Sequence, residues 1–582
     1  MAKADFKGTL GVERIKNFGG ICHSATKKGS HDAFDICNFR ILPDGTLEKR
    51  EGFTQLFTFP NALEPRAFIS TILDGEEMMF FVCENRVYEA NPIENTIAKI
   101  GEISTVSGRA ELFICHGFLY VMDENDIYRY EDGEFNSVHG YVPLYGRDLD
   151  GIRKGEVFED VNYLSDRLRF HFKVKEFTNS LYLGIKCSEI CSVTSNGKSI
   201  LSSANLSQDG MSILLKTSTA TDCEIDVCVI LAPENIKRNE LVSKEKAVIC
   251  DDGDAGRIIL YGGAEKGSML ISKEVSNASY LEAVAVHTSA TEIYFPISDK
   301  KEFPCSGERI NNIIRAGSKM LIFGDNRTAE LNLRGNSINL TIYDEHLGST
   351  LPRGAVMGGE APFVISHDGI YRLGGGGAIT ESGAECISSD IEDMLTPEFF
   401  ERAVAFYDKK RGEAYFGDPE SDDQEVFVYS VVGKKWYRFD GIPYDFFFSF
   451  GGKVCMAYGG YVFNFSEDEL LDRSIGLEVS SIIEAYYESN PLDFSLPERL
   501  KHIGRAYIRA DCDGNSFDMT LLGDSGGKCN FIIADDGKGM GKYPTKFNAK
   551  TGIGRFLDMN YIIRSNNMGR TRIMSIVLSA LK

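Results

Sequence analysis

A single tryptophan, Trp436, stands in this chain of 582 residues, and only nine histidines are scattered along it. One tryptophan weighs against an extended sugar cleft, which is built on exposed aromatic platforms, although 25 tyrosines and 38 phenylalanines offer aromatic surface of another kind. The histidines form no HExxH pair, and no P-loop occurs, which removes the zinc-peptidase and P-loop classes. No run reaches the roughly 18 to 20 apolar residues that cross a bilayer, and Met1 to Lys7 lacks the apolar stretch of a signal peptide. A soluble protein made in a cytoplasm is expected.

Positive charge is also short. Lys and Arg number 63 against 85 Asp and Glu, a formal net charge of −22. A protein gripping nucleic acid through a broad basic surface is thereby excluded, whereas an acidic wall that DNA slides past is compatible. The balance is uneven: residues 496–582 hold 14 Lys and Arg against 8 Asp and Glu, so this end carries +6 and the rest −28. The acidic body is expected to contribute to a DNA path, and the basic end, with Arg564, Arg570 and Arg572, to dock on a neighbouring subunit. The 14 cysteines are dispersed. Cys187/Cys191 and Cys223/Cys228 are the closest pairs along the chain, but neither is a CxxC; free thiols and no metal are expected.

What the chain has in excess is glycine, 58 residues, and short apolar runs bounded by Gly, Asp and Asn. Met78–Val82, Leu119–Met122 and Glu425–Tyr429 read as β-strands joined by hairpins, and the fold class is all-β. Helical signals are confined to Ser388–Met394 and Thr396–Val404, the second opening on Thr396-Pro397-Glu398 as a cap.

A strand, turn, strand unit recurs six times, each led by a turn glycine at 75, 117, 317, 359, 412 or 452. The spacings are 42, 200, 42, 53 and 40 residues. Four of them match a four-stranded propeller blade of about 40 to 50 residues, and the long gap holds an inserted domain. The expectation is a β-propeller of about six blades formed by 33–153 and 306–466 together. It follows an N-terminal arm, 1–32, and is interrupted by a β-sandwich-like insert, 154–305; a β-sandwich-like domain, 478–582, ends the chain.

The segment Asn38-Phe39-Arg40-Ile41-Leu42-Pro43-Asp44-Gly45-Thr46-Leu47-Glu48-Lys49-Arg50-Glu51-Gly52-Phe53 resembles the opening of phage tail propeller proteins, with an asparagine and a dGtL.kR.G hairpin before the first blade. Ile313–Phe323, Gly348-Ser349-Thr350, His367–Leu373 and Tyr429–Trp436 follow in order and are similar to successive blade strands of the tail hub or nozzle proteins of short-tailed phages, the packaged-DNA stabilisation type. The resemblance covers much of 17–465. It implies a structural subunit of a virion tail, assembled in the bacterial host cytoplasm as a homo-oligomeric ring, a hexamer being favoured. Such a ring contacts an adaptor and fibre or spike proteins and surrounds a channel that retains DNA until ejection. A carbohydrate-binding or carbohydrate-cleaving tail protein is the alternative, since paired carboxylates can serve a glycosidase.

No catalytic, cofactor or metal residue is assigned. Gly374–Gly377 follows a strand without opening a helix and reads as a loop, and His171, between Phe170 and Phe172, reads as a strand residue. His367 sits in a polar turn. Asp511–Asp518 places oxygens at alternate positions but lacks the twelfth-position glutamate and the helices of an EF-hand, and Asp251–Gly256 reads as a solvated turn.

Overall fold

The computed structural model describes residues 9–581 apart from 25–30, 74, 116, 153–154, 252–254, 274, 277–292, 335–336, 375–382, 474–479, 535–544 and 548–552. The chain divides into two compact units, Pro65–Leu347 and Met1–Glu64 with Gly348–Lys582. Both are all-β. Among the described residues no helix is long and apolar enough to cross a membrane.

In Pro65–Leu347, four antiparallel sheets have the sequential four-strand order of a propeller blade. The first contains Ala67–Leu73, Glu76–Cys83, Arg86–Asn91 and Thr96–Glu102, and the second Ala110–Cys115, Phe118–Asp123, Ile127–Glu131 and Glu134–Ser137. Another runs Asn312–Ala316, Lys319–Phe323, Thr328–Arg334 and Ser337–Asp344. These three contain the hairpins after Gly75, Gly117 and Gly317. The remaining sheet, Lys246–Asp251, Ala255–Tyr261, Ser268–Ile271 and Lys301–Glu302, lies in the stretch expected to be all insert. It escapes the repeat because Ser268–Ile271 and Lys301–Glu302 are far apart in sequence.

The inserted sandwich is correspondingly shorter. One sheet joins Leu144–Leu149, Arg167–Val174, Cys223–Leu231, Cys187–Ser195 and Lys198–Ser199; the other joins Ser180–Tyr182, Ser212–Leu215 and Ala204–Leu206. Alternation in Arg167–Val174 and Cys223–Leu231 turns Leu168, Phe170, Phe172, Ile225, Val227 and Val229 into a core of their own, while the residues between them face out.

The other unit has three blades: Ala355–Gly358 to Glu385–Cys386, Val404–Asp408 to Lys435–Phe439, and Phe446–Phe450 to Tyr461–Ser466. The last has only three strands in line along the chain. Its fourth is Gly52–Thr58, antiparallel to Tyr461–Ser466, so a distant segment closes it. The hairpins after Gly359, Gly412 and Gly452 occupy the middle of these blades. Middle strands such as Ala361–Ile365 and Glu413–Gly417 are buried throughout, whereas the outer strand Thr96–Glu102 of the other unit is mostly exposed. A strand covered on both faces needs a continuous apolar run and not alternation.

Besides the two-stranded pair Leu471–Arg473 with Ser480–Ile482, two larger sheets are described in this unit. Phe39–Ile41, Leu47–Lys49, Arg572–Leu581, His502–Asp511 and Thr545–Phe547 form one, with Thr9–Ile15 also lying on Arg572–Leu581. Ala33–Cys37, Ala485–Ser489, Met559–Ser565, Ser516–Gly523 and Lys528–Ala534 form the other. A parallel bridge from Cys37 to Arg438 continues this second sheet into the Val404–Phe439 blade. Residues 9–49 therefore furnish strands of the C-terminal sandwich, where the sequence suggested an arm and the start of the propeller. The expected helices shrink to the 3₁₀ turns Ser388–Asp390 and Glu392–Met394 and the single turn Phe399–Arg402, capped by Thr396 Oγ1 at 3.3 Å from the Phe399 amide.

Ile15, Phe18 and Ile21 are buried in the core of this unit. Burying each is worth about 1.5–3 kcal/mol. Deleting residues 1–22 is expected to lower the calorimetric transition of the full chain by many degrees; an unchanged transition would show the segment to be a loose arm after all.

Candidate functional site

Several charged residues that stand inside apolar strands converge on one buried network in the Met1–Glu64, Gly348–Lys582 unit. Its centre is Arg50, whose side chain is only 1% exposed. The guanidinium grips Asp472 with both arms, Nη1 to Oδ1 at 2.8 Å and Nη2 to Oδ2 at 2.6 Å, and donates through Nε to Asn38 Oδ1 at 2.8 Å. A two-armed pair of this kind fixes direction as well as distance. Asn38 has φ +56°, a left-handed conformation that asparagine accepts more readily than most residues. There its amide donates to the Glu484 carbonyl at 2.8 Å and to the Asp440 carboxylate, while its oxygen also accepts from the Asp440 amide at 3.2 Å.

The rest of the hairpin is built to deliver Arg50. Asp44 Oδ1 accepts from the Thr46 amide at 3.0 Å and hydroxyl at 2.6 Å, closing the turn. Gly45, at φ +80°, lies where a Cβ would fall 2.9 Å from Asn17 Cα. Leu47 is fully buried, and Lys49 Nζ donates to the Asn567 carbonyl at 2.6 Å. At Gly52 a Cβ would stand 2.1 Å from the Leu471 carbonyl oxygen, so backbone passes against backbone there. Each residue of the dGtL.kR.G pattern thus has a stereochemical task.

A second layer adjoins the first. Arg40 bonds Glu413, reaches Tyr415 Oη at 3.2 Å, and spans to Glu51 at 3.3 Å. Tyr437 donates to Glu413 at 2.6 Å and Tyr415 to the same carboxylate at 2.9 Å; Arg411 closes on Glu51. Arg40 also lies over the Phe439 ring, 4.7 Å from its centre. Burial drives the Tyr415 and Tyr437 hydroxyls upward, so both stay protonated donors. For Glu51 burial acts upward too, but Arg40 and Arg411 outweigh it and hold the carboxyl down at about 2.

Beside Glu51 and Arg411 opens a cleft of about 200 Å³, walled by Asp408, Lys410, Lys453, Glu467 and Asp468 among others. Its charges are mixed, and Arg411 spends its guanidinium on Glu51. Arg411 is 25% exposed at this cleft, while the rest of the network is buried and paired within itself; it acts as a clamp that binds the N-terminal hairpin to the blade strands Glu413–Gly417 and Lys435–Phe439 and to Asp472.

The other residues weighed in the sequence do not join it. His171 is in a strand of the insert, its Nδ1 2.8 Å from Asp226 Oδ1. His367 lies in a blade hairpin with Nδ1 3.2 Å from Ser366 Oγ. Asp511–Asp518 is a turn that passes from His502–Asp511 in one sheet to Ser516–Gly523 in the other, with Asp513 and Gly514 at positive φ and the Asp513 amide donating to Asp511. Gly375–Gly377 and Asp252–Asp254 lie outside the described residues. No group of three or more His, Cys, Asp or Glu that could hold a metal occurs among the described residues.

Two of the arginines expected to face a neighbour also pair within the chain: Arg572 with Asp44 at 2.7 Å and Arg570, 53% exposed, with Glu48 at 3.3 Å, while Arg564 lies over Tyr486, 5.3 Å from the ring centre. The key partners Arg40, Glu413, Tyr415, Tyr437 and Asp472 were not singled out from sequence. The available signal was a charge within an apolar strand, as in Phe39-Arg40-Ile41 and Glu413-Ala414-Tyr415-Phe416.

No family profile matches the chain, and no curated protein matches it. Solved structures share architecture only loosely. The crystal structure of BBS1N in complex with ARL6DN is 11% identical, with 72% of this chain and 99% of that one covered and a TM-score of 0.34. A chain of the Mitotic Checkpoint Complex is 7% identical, with 72% and 93% covered and a TM-score of 0.32. A chain of the Nidogen/Laminin complex is 12% identical, with 40% and 85% covered and a TM-score of 0.24. At these values none carries a functional argument.

Glu51 supplies a pH test. Its folded pKa lies below the ordinary 4.5, so its stabilisation is complete above that value and disappears as pH falls toward about 2. The shift corresponds to roughly 3 kcal/mol. Urea midpoints are expected to fall between pH 4.5 and 2 and to do so less steeply in Glu51→Gln; equal slopes would remove Glu51 from the clamp.

Proposed function

We propose that this chain is a non-catalytic structural subunit of a bacteriophage tail, a hub or nozzle component that forms part of the genome-exit channel and retains packaged DNA. The observation that supports this reading most is the clamp. The segment whose residues resemble the tail family, Asn38–Phe53, is the segment that the fold spends its buried charges on, and it leads straight into the closing strand Gly52–Thr58. A wall under internal pressure must resist shear, and a closing strand anchored by a two-armed ion pair resists it in a way that an apolar contact, which slides, does not.

The same reading accounts for the charge distribution. A body at −28 repels a polyanion and lets it pass without sticking, and cyclic symmetry builds a ring from one repeated interface. The ring is a hexamer in this proposal, held between an adaptor and fibre or spike proteins. Chemically competent side chains such as Arg40, Glu413 and Tyr437 are consumed in mutual pairing, which leaves them to mechanical work.

Negative-stain images of purified virions treated with an antibody to this chain are expected to show label at a capsid vertex or tail. Virions that carry neither label nor peptides of this chain by mass spectrometry would overturn the assignment. Incubation of the purified protein with host-surface polysaccharide is expected to release no sugar; turnover abolished by replacing one or two carboxylates would establish the glycosidase alternative.

A further inference from the structure

We propose that Cys191 and Cys228 form a redox pair that closes to a disulfide across two strands of the inserted sandwich. Strand Cys187–Ser195 runs antiparallel to Cys223–Leu231, with Val193 opposite Val227, Ser192 opposite Cys228 and Ile190 opposite Val229. One residue is left over between Ile190 and Ser192. It is Cys191, so a β-bulge sets Cys191 and Ser192 against the single residue Cys228. Opposed residues of an antiparallel pair have Cα atoms about 4.5–5.5 Å apart, inside the roughly 4.4–6.8 Å range that a disulfide spans.

Both cysteines are half-buried and lie on the outward face of the sheet, since the neighbours Val227 and Val229 point into the core. The two thiols share a hydrogen bond, and burial, then the Cys191 thiol, pushes Cys228 above its usual range while Arg167 and Arg169 draw it back. The pairs that are nearest in sequence are not the pair in space. Cys187 lies opposite Leu231 and Cys223 opposite Val174, and both are buried.

The reaction needs a two-electron oxidant, here a small-molecule disulfide. One thiol loses its proton and attacks a sulfur of the reagent, releasing one thiol; the other cysteine then attacks the mixed disulfide, releasing the second. The protein gives up two hydrogens and the reagent becomes two thiols. The bridge would close the loop 191–228, which supplies Ala204–Leu206 and Ser212–Leu215, two of the three strands of the facing sheet. Oxidation thus ties the second layer of the sandwich to the first.

The time at which the bridge closes rests on the virion reading: thiols stay reduced in a cytoplasm and meet oxidants once particles are released. The chemistry of the pair does not rest on it. Full-length protein purified under reductant, freed of it and incubated with oxidised glutathione is expected to lose the mass of two hydrogens and to yield a peptide cross-linked through Cys191 and Cys228. Cleavage by added protease within 196–220 is expected to slow several-fold, and Cys191→Ser and Cys228→Ser each to abolish both changes. The wild-type peptide map stands even where a variant folds poorly. Separate glutathione adducts on the two cysteines, or two unreacted thiols, with a native circular dichroism spectrum would overturn the pair. A cross-link formed in a protein that no virion contains would overturn only its place in a particle.

Discussion

A guanidinium without access to water constrains the structure around it. Arg50 can remain buried only while Asp472 takes both its arms and Asn38 takes its Nε, because an unpaired charge in a protein interior costs several kcal/mol. The local geometry follows from that requirement. Asn38 is turned into left-handed backbone to aim its amide, the Asp44–Thr46 turn sets the register of the hairpin, and Gly52 lacks a Cβ because the Leu471 carbonyl occupies its place. From there the chain enters the strand that completes the last blade.

The second layer extends the clamp from one ion pair to a sheet. Arg40, Glu51, Glu413 and Arg411 alternate in sign, and Tyr415 and Tyr437 remain protonated so that they can donate to Glu413. Buried polar networks of this kind are costly when any member is missing and directional when all are present. The N-terminal strands are thereby committed to the C-terminal sandwich and to the blade at once, and the Cys37–Arg438 bridge carries one sheet across both.

The blades were legible in the sequence and the clamp was not, for a physical reason. A middle strand covered on both faces needs a continuous apolar run after a turn glycine, as in Gly117-Phe118-Leu119-Tyr120-Val121-Met122, and such runs are visible locally. The sheet Lys246–Glu302 was hidden because its last two strands are separated by a long excursion, and its position shortened the insert to a sandwich beginning at Leu144. Residues 9–49 were placed with an arm and the propeller because their partners, Arg572–Leu581 and Ala485–Ser489, lie hundreds of positions away. Arg50 and Asp472 face the same obstacle: a pair 422 apart in sequence leaves no local trace except a charge among apolar neighbours. The motif Asn38–Phe53 was recognised as a pattern, and the structure supplies the reason for each of its letters.

The account stands most directly on the coupling between Arg50 and Asp472. A double-mutant cycle with Arg50→Met, Asp472→Leu and the double variant, read by urea unfolding of the full chain, measures that coupling free of either side chain's packing. Each single variant strands a buried charge, so each is expected to lose about 3–5 kcal/mol while the double variant loses far less than their sum. Losses that simply add would mean that the two residues do not act on one another, and that the hairpin is held by its apolar contacts alone.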